Sequence, residues 1–271
     1  DIDGNLQDAP NIELFTASGA LEFGVTDTIL AAIKWVPGYN IGWNREGDEK
    51  MLLDVPYGAT LGLKYGLVGE DRRYFSNRFR AAVAPGLTIP TAWDYDAKEE
   101  QESALAGNDY RYPSDPIAVA AGLRVYGDYL FNDALFLNGT TELTYRFPVP
   151  IEQAPLDVYT NPSAAGADTV SYGSKLEVEI EPRYYLRPGM KLRLGAGFPV
   201  IYTYESPVES DQGTEIIQEN ELITLGPSFS AFLAFLPIPI EARLEMAFAA
   251  DGRNRRKINK FSFILSSYSR F

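Results

Sequence analysis

Three carboxylates, Glu177, Glu179 and Glu181, alternate with apolar residues in the stretch "KLEVEIEPRYYLR" at 175–187. Paired carboxylates can serve as acid and base in glycoside hydrolysis, or they can form a charged ring that selects and orients solutes in a pore. Basic residues stand among and beside these three in the sequence, which favours ion pairing over acid–base chemistry. The chemistry that this stretch favours is therefore electrostatic.

The chain lacks the residues that other common kinds of catalysis require. The chain has no histidine and no cysteine, which excludes histidine bases, the usual serine triad and thiolate metal sites. Its net charge of −13 gives it no electrostatic reason to bind nucleic acid. The acidic run at 94–102 offers oxygen ligands, but its spacing matches no calcium loop, and we expect a solvated loop there. We predict that the protein is not an enzyme and has neither a cofactor nor a metal site.

The elements that must position the charges are β-strands. In "YGATLGLKYGLVG" at 57–69, large apolar residues alternate with Gly, Thr and Lys, which is the period of two that a strand shows. A helix would scatter the charges of 175–187 around its surface, whereas a strand puts them on one face. The same alternation recurs in eleven segments, at 12–25, 28–44, 57–69, 77–93, 116–131, 134–149, 174–189, 190–206, 221–236, 239–251 and 258–271.

Short and long connections alternate between these segments. Turns such as 26–27 and 132–133 are short, while 94–115, 150–173 and 207–220 are long and polar. This alternation is typical of an up-and-down meander with two different ends. Such a meander can be a soluble sandwich or lipocalin-like barrel with its apolar face inside, or a membrane barrel with that face towards lipid.

Three features favour the membrane barrel. The segments are longer than soluble strands of about 5 to 6 residues and suit a tilted crossing of the bilayer with added rim residues. The polar face is also rich in Gly and Ala, which suits a crowded lumen better than a water-facing surface. Aromatic residues collect near segment ends on the apolar face, as in interfacial belts. The predicted membrane-interface aromatics are Trp35, Trp43, Tyr57, Trp93, Tyr145 and Tyr202.

On this interpretation the charged side chains line the interior. The four cations Lys64, Arg78, Arg80 and Arg124 would form one wall of a constriction, and the three glutamates would form the other. Alternatively, salt bridges between adjacent strands fill a narrow lumen. The constriction and the filled lumen are both correct if the network leaves a narrow water path. Asp251 is predicted to point inward as well. The candidate lumen and constriction residues are Lys34, Lys64, Arg78, Arg80, Arg124, Glu142, Arg146, Glu177, Glu179, Glu181, Arg183, Lys191, Arg193 and Arg243.

The end of the chain, "FSFILSSYSR" followed by Phe271, resembles the closing strand of Gram-negative outer-membrane β-barrel proteins. Phe263, Leu265 and Phe271 share a face, as that pattern expects, although Ser267 and Ser269 stand at positions that are often apolar. The resemblance implies a location in the bacterial outer membrane, contact with its lipid and lipopolysaccharide, and Phe271 as a signal for the barrel-assembly machinery. The phrases "FGVTDTILAAI" and "VPYGATLGLKYGLV" resemble hairpins of channel barrels grouped with hydrophobic-compound uptake proteins.

The predicted fold is all-β, an antiparallel up-and-down transmembrane β-barrel of about twelve strands, with ten or fourteen as alternatives. Because such barrels have even strand numbers, either a strand precedes the eleven segments or one segment is split or missed. Residues 1–271 are predicted to form a single domain, with 1–11 as a polar N-terminal segment or loop. The predicted function is an outer-membrane channel or passive transporter with a narrow charged lumen for small solutes. The alternative is a structural or adhesive barrel with a filled lumen, acting through its surface loops or an envelope protein partner.

Overall fold

A computed structural model describes residues 12–44, 50–53, 58–69, 74–108, 110–111, 113, 116–186, 191–234, 239–254 and 259–267. Most of them belong to one large sheet, and a second sheet of four short strands lies within the long connections. In chain order the strands are β1 (Ile12–Gly24), β2 (Ile29–Asn44), β3 (Lys50–Leu53), β4 (Gly58–Gly69), β5 (Tyr74–Phe75), β6 (Phe79–Pro90), β7 (Ala120–Leu130), β8 (Leu135–Arg146), β9 (Val149–Pro150), β10 (Thr169–Ser171), β11 (Ser174–Leu186), β12 (Leu192–Gly197), β13 (Val200–Glu205), β14 (Val208–Ser210), β15 (Glu215–Ile217), β16 (Asn220–Leu225), β17 (Ser228–Leu233), β18 (Ile240–Arg253) and β19 (Lys260–Ser267). The helices are α1 (Ala97–Leu105) and α2 (Leu156–Tyr159), with 3-10 turns at Ile151–Gln153 and Pro162–Ala164.

The large sheet is an up-and-down meander of long antiparallel strands. Its order is β1, β2, β4, β6, β7, β8 and β11, then β12 with β13, β17 with β16, β18 and β19. β12 and β13 are halves of one strand, because both pair with β11 in a single register around Phe198 and Pro199. β16 and β17 likewise continue each other around Gly226 and Pro227. The described chain thus contributes eleven long strands, one for each predicted segment, and a twelfth is not among them.

This meander curls into a barrel. Lys34 on β2 lies within electrostatic range of Arg124 on β7, Glu177 on β11 and Lys260 on β19. A flat sheet would hold its second and last strands far apart, whereas a closed curve brings their inner faces to a common interior. The predicted fold class, an antiparallel up-and-down β-barrel, is confirmed.

The outer wall of the barrel exposes its apolar side chains. Leu63 is 54% exposed and Phe263 is 71% exposed, although both lie in the middle of paired strands. On the inner face small residues stand side by side, with Gly86 opposite Gly62 on one neighbour and Gly122 on the other. A barrel that is stable in water hides its leucines inside, whereas one that faces lipid displays them outside.

The long connections fold into a cap, which we define as residues 91–119, 147–173 and 206–219. It contains both helices and the small sheet of β15, β14, β10 and β9. One hydrophobic cluster of the cap includes Val158 and Val170, and another includes Ala97 and Ile117. Nearly all buried apolar residues of the described chain lie in the cap rather than in the barrel wall. The core that excludes water is therefore built by the loops.

The prediction of a solvated loop for the acidic run at 94–102 is wrong. Most of that run forms the beginning of α1. Asp96 accepts hydrogen bonds from the backbone amides two and three residues further on, at 2.8 and 3.3 Å, and so caps the helix. Glu100 is buried and accepts a hydrogen bond from Arg111 Nε at 2.5 Å, while Arg111 Nη1 lies 3.1 Å from Asp94 Oδ2. Arg111, later in the same connection, thus supplies the positive charge that holds Glu100 and Asp94.

One inward prediction is wrong because of a β-bulge. The register between β16 and β18 shifts by one residue, so Asp251 stands opposite Ile223, a residue of the outer-face parity. Alternation along a strand cannot be extended through a bulge, because the extra residue moves every later side chain to the other face. The predictions for residues 1–11, Tyr57 and Phe271, and for the side chain of Trp43, lie outside the described residues.

Candidate functional site

The most deeply buried charge of the described barrel wall is Glu181 on the inner face of β11, which is 1% exposed. Ser228 Oγ donates a hydrogen bond to Glu181 Oε1 at 2.5 Å, and Arg243 Nη2 donates to the same oxygen at 3.1 Å. Arg183 Nη1 lies 3.9 Å from the other carboxylate oxygen. A carboxylate can remain charged at such depth only with partners of this kind.

These contacts continue onto β18. Arg183 Nη2 lies 3.6 Å from Glu241 Oε1, and Arg243 Nε lies 2.5 Å from Glu245 Oε1. Cations and carboxylates therefore alternate along one side of the lumen. We call this set the buried charge network; its members are Glu181, Arg183, Ser228, Glu241, Arg243 and Glu245.

Glycines on β12 allow the buried charge network to form. β12 lies between β11 and β17 in the sheet, so Glu181 must extend across it to reach Ser228. A Cβ on Gly197 would overlap Glu181 Oε1 and would lie 2.7 Å from Ser228 Oγ. A Cβ on Gly195 would lie 2.6 Å from Ser230 Oγ. The glycines on the inner face of β12 therefore leave the space in which side chains of β11 and β17 meet.

A second cluster lies on the wall formed by β4, β6, β7 and β8. Arg124 stands directly opposite Glu142; its Nε donates to Glu142 Oε2 at 2.7 Å, and its Nη2 bonds the same oxygen. Lys64 Nζ lies 4.0 Å from the centroid of the Tyr126 ring, reaching it past Ala82 of the intervening strand. The guanidinium carbon of Arg124 lies 5.9 Å from the centroid of the same ring, so Tyr126 can stabilise both cations through its π system.

A third cluster stands where the strands meet the cap. Glu205 Oε1 lies 3.7 Å from Arg146 Nη2 and 3.9 Å from Lys175 Nζ. Asn220 Nδ2 donates to Glu205 Oε2 at 3.2 Å. Lys175 Nζ also lies 3.7 Å from Glu177 Oε2. Glu177 is thus paired at the cap end of the barrel.

Other inner-face charges form no ion pair within the described residues. On the wall of β2, β4 and β6 these are Lys34, Lys64 and Arg80; Arg80 stands opposite Asp128 but lies beyond ion-pair distance of it. On β11 it is Glu179, whose neighbours in electrostatic range are Glu177, Glu181, Glu245 and Arg243. The predicted anionic wall is therefore uneven, because Glu177 and Glu181 are paired and Glu179 is not.

Three predicted lumen residues lie at the strand ends on the short-turn side. Arg78 stands in the bend before β6, and Lys191 stands just before β12; both are exposed. The guanidinium carbon of Arg193 lies 5.7 Å from the centroid of the Phe232 ring. These residues surround a mouth of the barrel rather than its middle. Their predicted role in a constriction stays a prediction.

Aromatic side chains lie near both ends of the outer wall. At the cap end Tyr145 packs edge-on against Phe147, with ring centroids 5.3 Å apart, and at the short-turn end Tyr129 packs edge-on against Phe131 at 4.9 Å. Two such bands around an aliphatic middle are typical of interfacial girdles. The cap end carries Trp35, Trp93, Tyr145, Phe147 and Tyr202, and the short-turn end carries Phe79, Tyr129, Phe131 and Tyr184.

Sequence reasoning missed Ser228, Tyr126 and Glu205 as members of these clusters. Each has the inner-face parity of its strand, so the alternation contained a signal for its orientation. The sequence could not predict their partners, because Ser228 contacts a carboxylate two strands away and Lys64 contacts Tyr126 across an intervening strand. Such contacts depend on the curvature of the wall and on small residues between the partners.

Within the described residues, no three His, Cys, Asp or Glu side chains are grouped closely enough to hold a metal ion. In the same part of the chain, no helix has the length and apolar character needed to cross a membrane.

The chain matches no protein-family model, and no curated protein sequence matches it. Its structure is similar to that of an outer membrane channel from Pseudomonas putida F1, with a TM-score of 0.56, 13% sequence identity, and coverage of 97% of this chain and 87% of that chain. LpxR from Salmonella typhimurium aligns with a TM-score of 0.41 and 7% identity, covering 92% of this chain and 86% of that chain. Likeness at 13% identity is a likeness of fold. With the exposed apolar wall and the charged interior, the first of these matches identifies the fold of this chain as an outer-membrane β-barrel.

Proposed function

We propose that the protein resides in the bacterial outer membrane and forms a narrow, water-filled channel with a charged lumen. The observation that supports this most directly is that Lys34, Arg80 and Lys260 are exposed although they belong to the inner-face parity of their strands. Charged groups keep such exposure only where water reaches them. The fold shared with an outer membrane channel supports the same role.

The proposed path runs along one side of the barrel. The buried charge network narrows the side of β11, β17 and β18, where Glu181 and Ser228 are almost fully buried. The inner faces of β2, β6 and β19 retain exposed cations. A solute would therefore pass along the β19–β2–β6 side, while the network, in which two guanidinium groups pair with three carboxylates, keeps the opposite wall rigid.

Conductance in planar lipid bilayers tests the proposal. We expect discrete ion-conducting steps from the purified, folded protein. Glu179→Gln should change the ion selectivity, because Glu179 forms no ion pair in the described chain, and Glu102→Gln on the exposed surface of α1 is the matched control. A folded barrel that does not conduct ions would contradict the proposed channel function.

A second candidate function is a structural or adhesive barrel that acts through the cap. It is favoured by the cap's own core, in which Val170 and Ala97 are fully buried, since free loops have no need of a packed interior. On this proposal the partners are lipopolysaccharide or an envelope protein. A folded protein that does not conduct, but that binds lipopolysaccharide vesicles or is retained on intact envelopes through the cap, would support it.

We further propose that the protein is not an enzyme. The chain has no histidine, and two of the three carboxylates considered for glycoside chemistry are held by cations, Glu177 by Lys175 and Glu181 by Arg243. Contact with outer-membrane lipid and recognition of Phe271 by the barrel-assembly machinery belong to the same proposal. Removal of Phe271 should lower the amount of heat-modifiable barrel in membranes, and an undiminished amount would contradict its role as a signal.

A further inference from the structure

The cations of the inner wall are distributed unevenly between two sides of the barrel. Lys34, Lys64, Arg80 and Lys260 lie on the inner-face parity of β2, β4, β6 and β19. None of the four forms an ion pair with any residue in the described ranges, whereas eight salt-bridge contacts of the interior stand on the remaining strands or at the cap end. The positive charge of this side is therefore not cancelled by ion pairs.

Carboxylates elsewhere in the barrel are mostly neutralised where they stand. Glu142 is held by Arg124, Glu181 by Arg243, and Glu205 by both Arg146 and Lys175. The inner-face carboxylates that form no ion pair within the described strands are Glu22, Asp128 and Glu179. Of these, Glu22 and Asp128 lie on the same side of the barrel as the four cations. That side therefore has four unpaired positive charges and two unpaired negative charges.

Several of the cations are close enough to reinforce one another. Lys34 lies within electrostatic range of Arg124 and Lys260, both positive, and of Glu142 and Glu177, which are held by other cations. Asp128 lies within electrostatic range of two cations, Lys64 and Arg80. A narrow path with low-dielectric walls concentrates such a field and raises the local concentration of counter-ions.

From this distribution we infer that the lumen selects small anions, and that Lys34 and Lys260 set this selectivity. The inference rests on the proposed channel function and adds its substrate class. Fixed cations beside a narrow water path lower the energy of a passing anion and raise that of a cation, as charged rings do in anion pores. The remaining carboxylates moderate the preference but do not reverse its sign.

The test is the reversal potential of the purified protein in a bilayer that separates two concentrations of KCl. We expect a sign that corresponds to chloride permeation. The double variant Lys34→Gln with Lys260→Gln should lower the chloride-to-potassium permeability ratio by about twofold to fivefold, the effect of removing charge at short range in a watery path. Lys98→Gln, on the surface of α1 in the cap, removes one lysine charge outside the lumen by the same substitution and should leave the ratio unchanged.

The outcomes separate the inference from the proposed function. A conducting protein that prefers potassium, or a double variant with an unchanged ratio, overturns anion selection and leaves the channel standing. A folded protein without conductance overturns both. Heat-dependent migration in electrophoresis confirms that each variant is folded, and Lys34→Glu, which keeps a charged group but inverts it, should shift the ratio further than Lys34→Gln.

Discussion

Replacing Gly197 by alanine tests whether the glycine face of β12 is what allows the buried charge network to form. The added Cβ would lie 2.7 Å from Ser228 Oγ and 2.9 Å from Glu181 Cδ, and it would overlap Glu181 Oε1. The backbone of β12 is hydrogen-bonded to a strand on each side, so it cannot yield easily. Glu181 must instead move away from Ser228 and Arg243.

The magnitude follows from the contacts that are lost. Overpacking a filled interior costs about 1–3 kcal/mol, and losing a hydrogen bond to a charged group costs about 1.5–3 kcal/mol. Because relief of the overlap is what breaks the bonds of Glu181, the two costs are not fully additive. We expect Gly197→Ala to lower the free energy of unfolding by about 2–5 kcal/mol.

The assay is reversible urea unfolding from lipid vesicles, followed by tryptophan fluorescence and by heat-dependent migration. Gly62→Ala is the matched control, since it lies on the same inner face and its Cβ would come no closer than 3.6 Å to Pro85 O. Alanine is preferred over glycine in a strand by about 0.5–1 kcal/mol, so this control should be neutral or slightly stabilising. If Gly197→Ala unfolds at the same urea concentration as Gly62→Ala, the glycine face is not what admits the network.

Three further predictions concern the cap and the outer wall. Asp96→Ala removes the N-cap of α1 and should cost the helix about 1 kcal/mol, measured as faster hydrogen exchange of the amides of 98–105; unchanged exchange would contradict the cap. Arg111→Ala leaves the buried Glu100 without its charged donor, and we expect a loss of about 1–3 kcal/mol in the cap, detected as faster proteolysis within 91–119 while the barrel stays intact. Cleavage at the rate of the unmodified protein would mean that this pair is dispensable. Leu63→Arg places a charge on the lipid-facing wall and should cost about 2–4 kcal/mol in vesicles, whereas Leu105→Arg on the exposed surface of α1 should stay within about 0.5 kcal/mol. Equal losses from these two leucine substitutions would argue against a wall that faces lipid.

The amino-acid pattern alone determined which strands form and which face of each strand is apolar. Successive side chains of a strand point to opposite faces, so the glutamates of 175–187 had to share one face, and Leu61 and Leu63 had to share a face with each other. The eleven alternating segments therefore became the eleven long strands, and Leu63 and Phe263 stand on the outer wall. This part needed no knowledge of any distant contact, because alternation is a property of the local backbone.

The tertiary structure decided which residues meet. Glu181 and Ser228 are separated by 47 positions in the chain and by an intervening strand, and they touch because the wall curves and Gly197 leaves the space between them. The bulge that turns Asp251 outward and the pairing of Arg111 with Glu100 across the cap are likewise absent from the alternation. A period of two assigns a side chain to a face, but the curvature of the barrel, its bulges and the space left by small residues determine its partner.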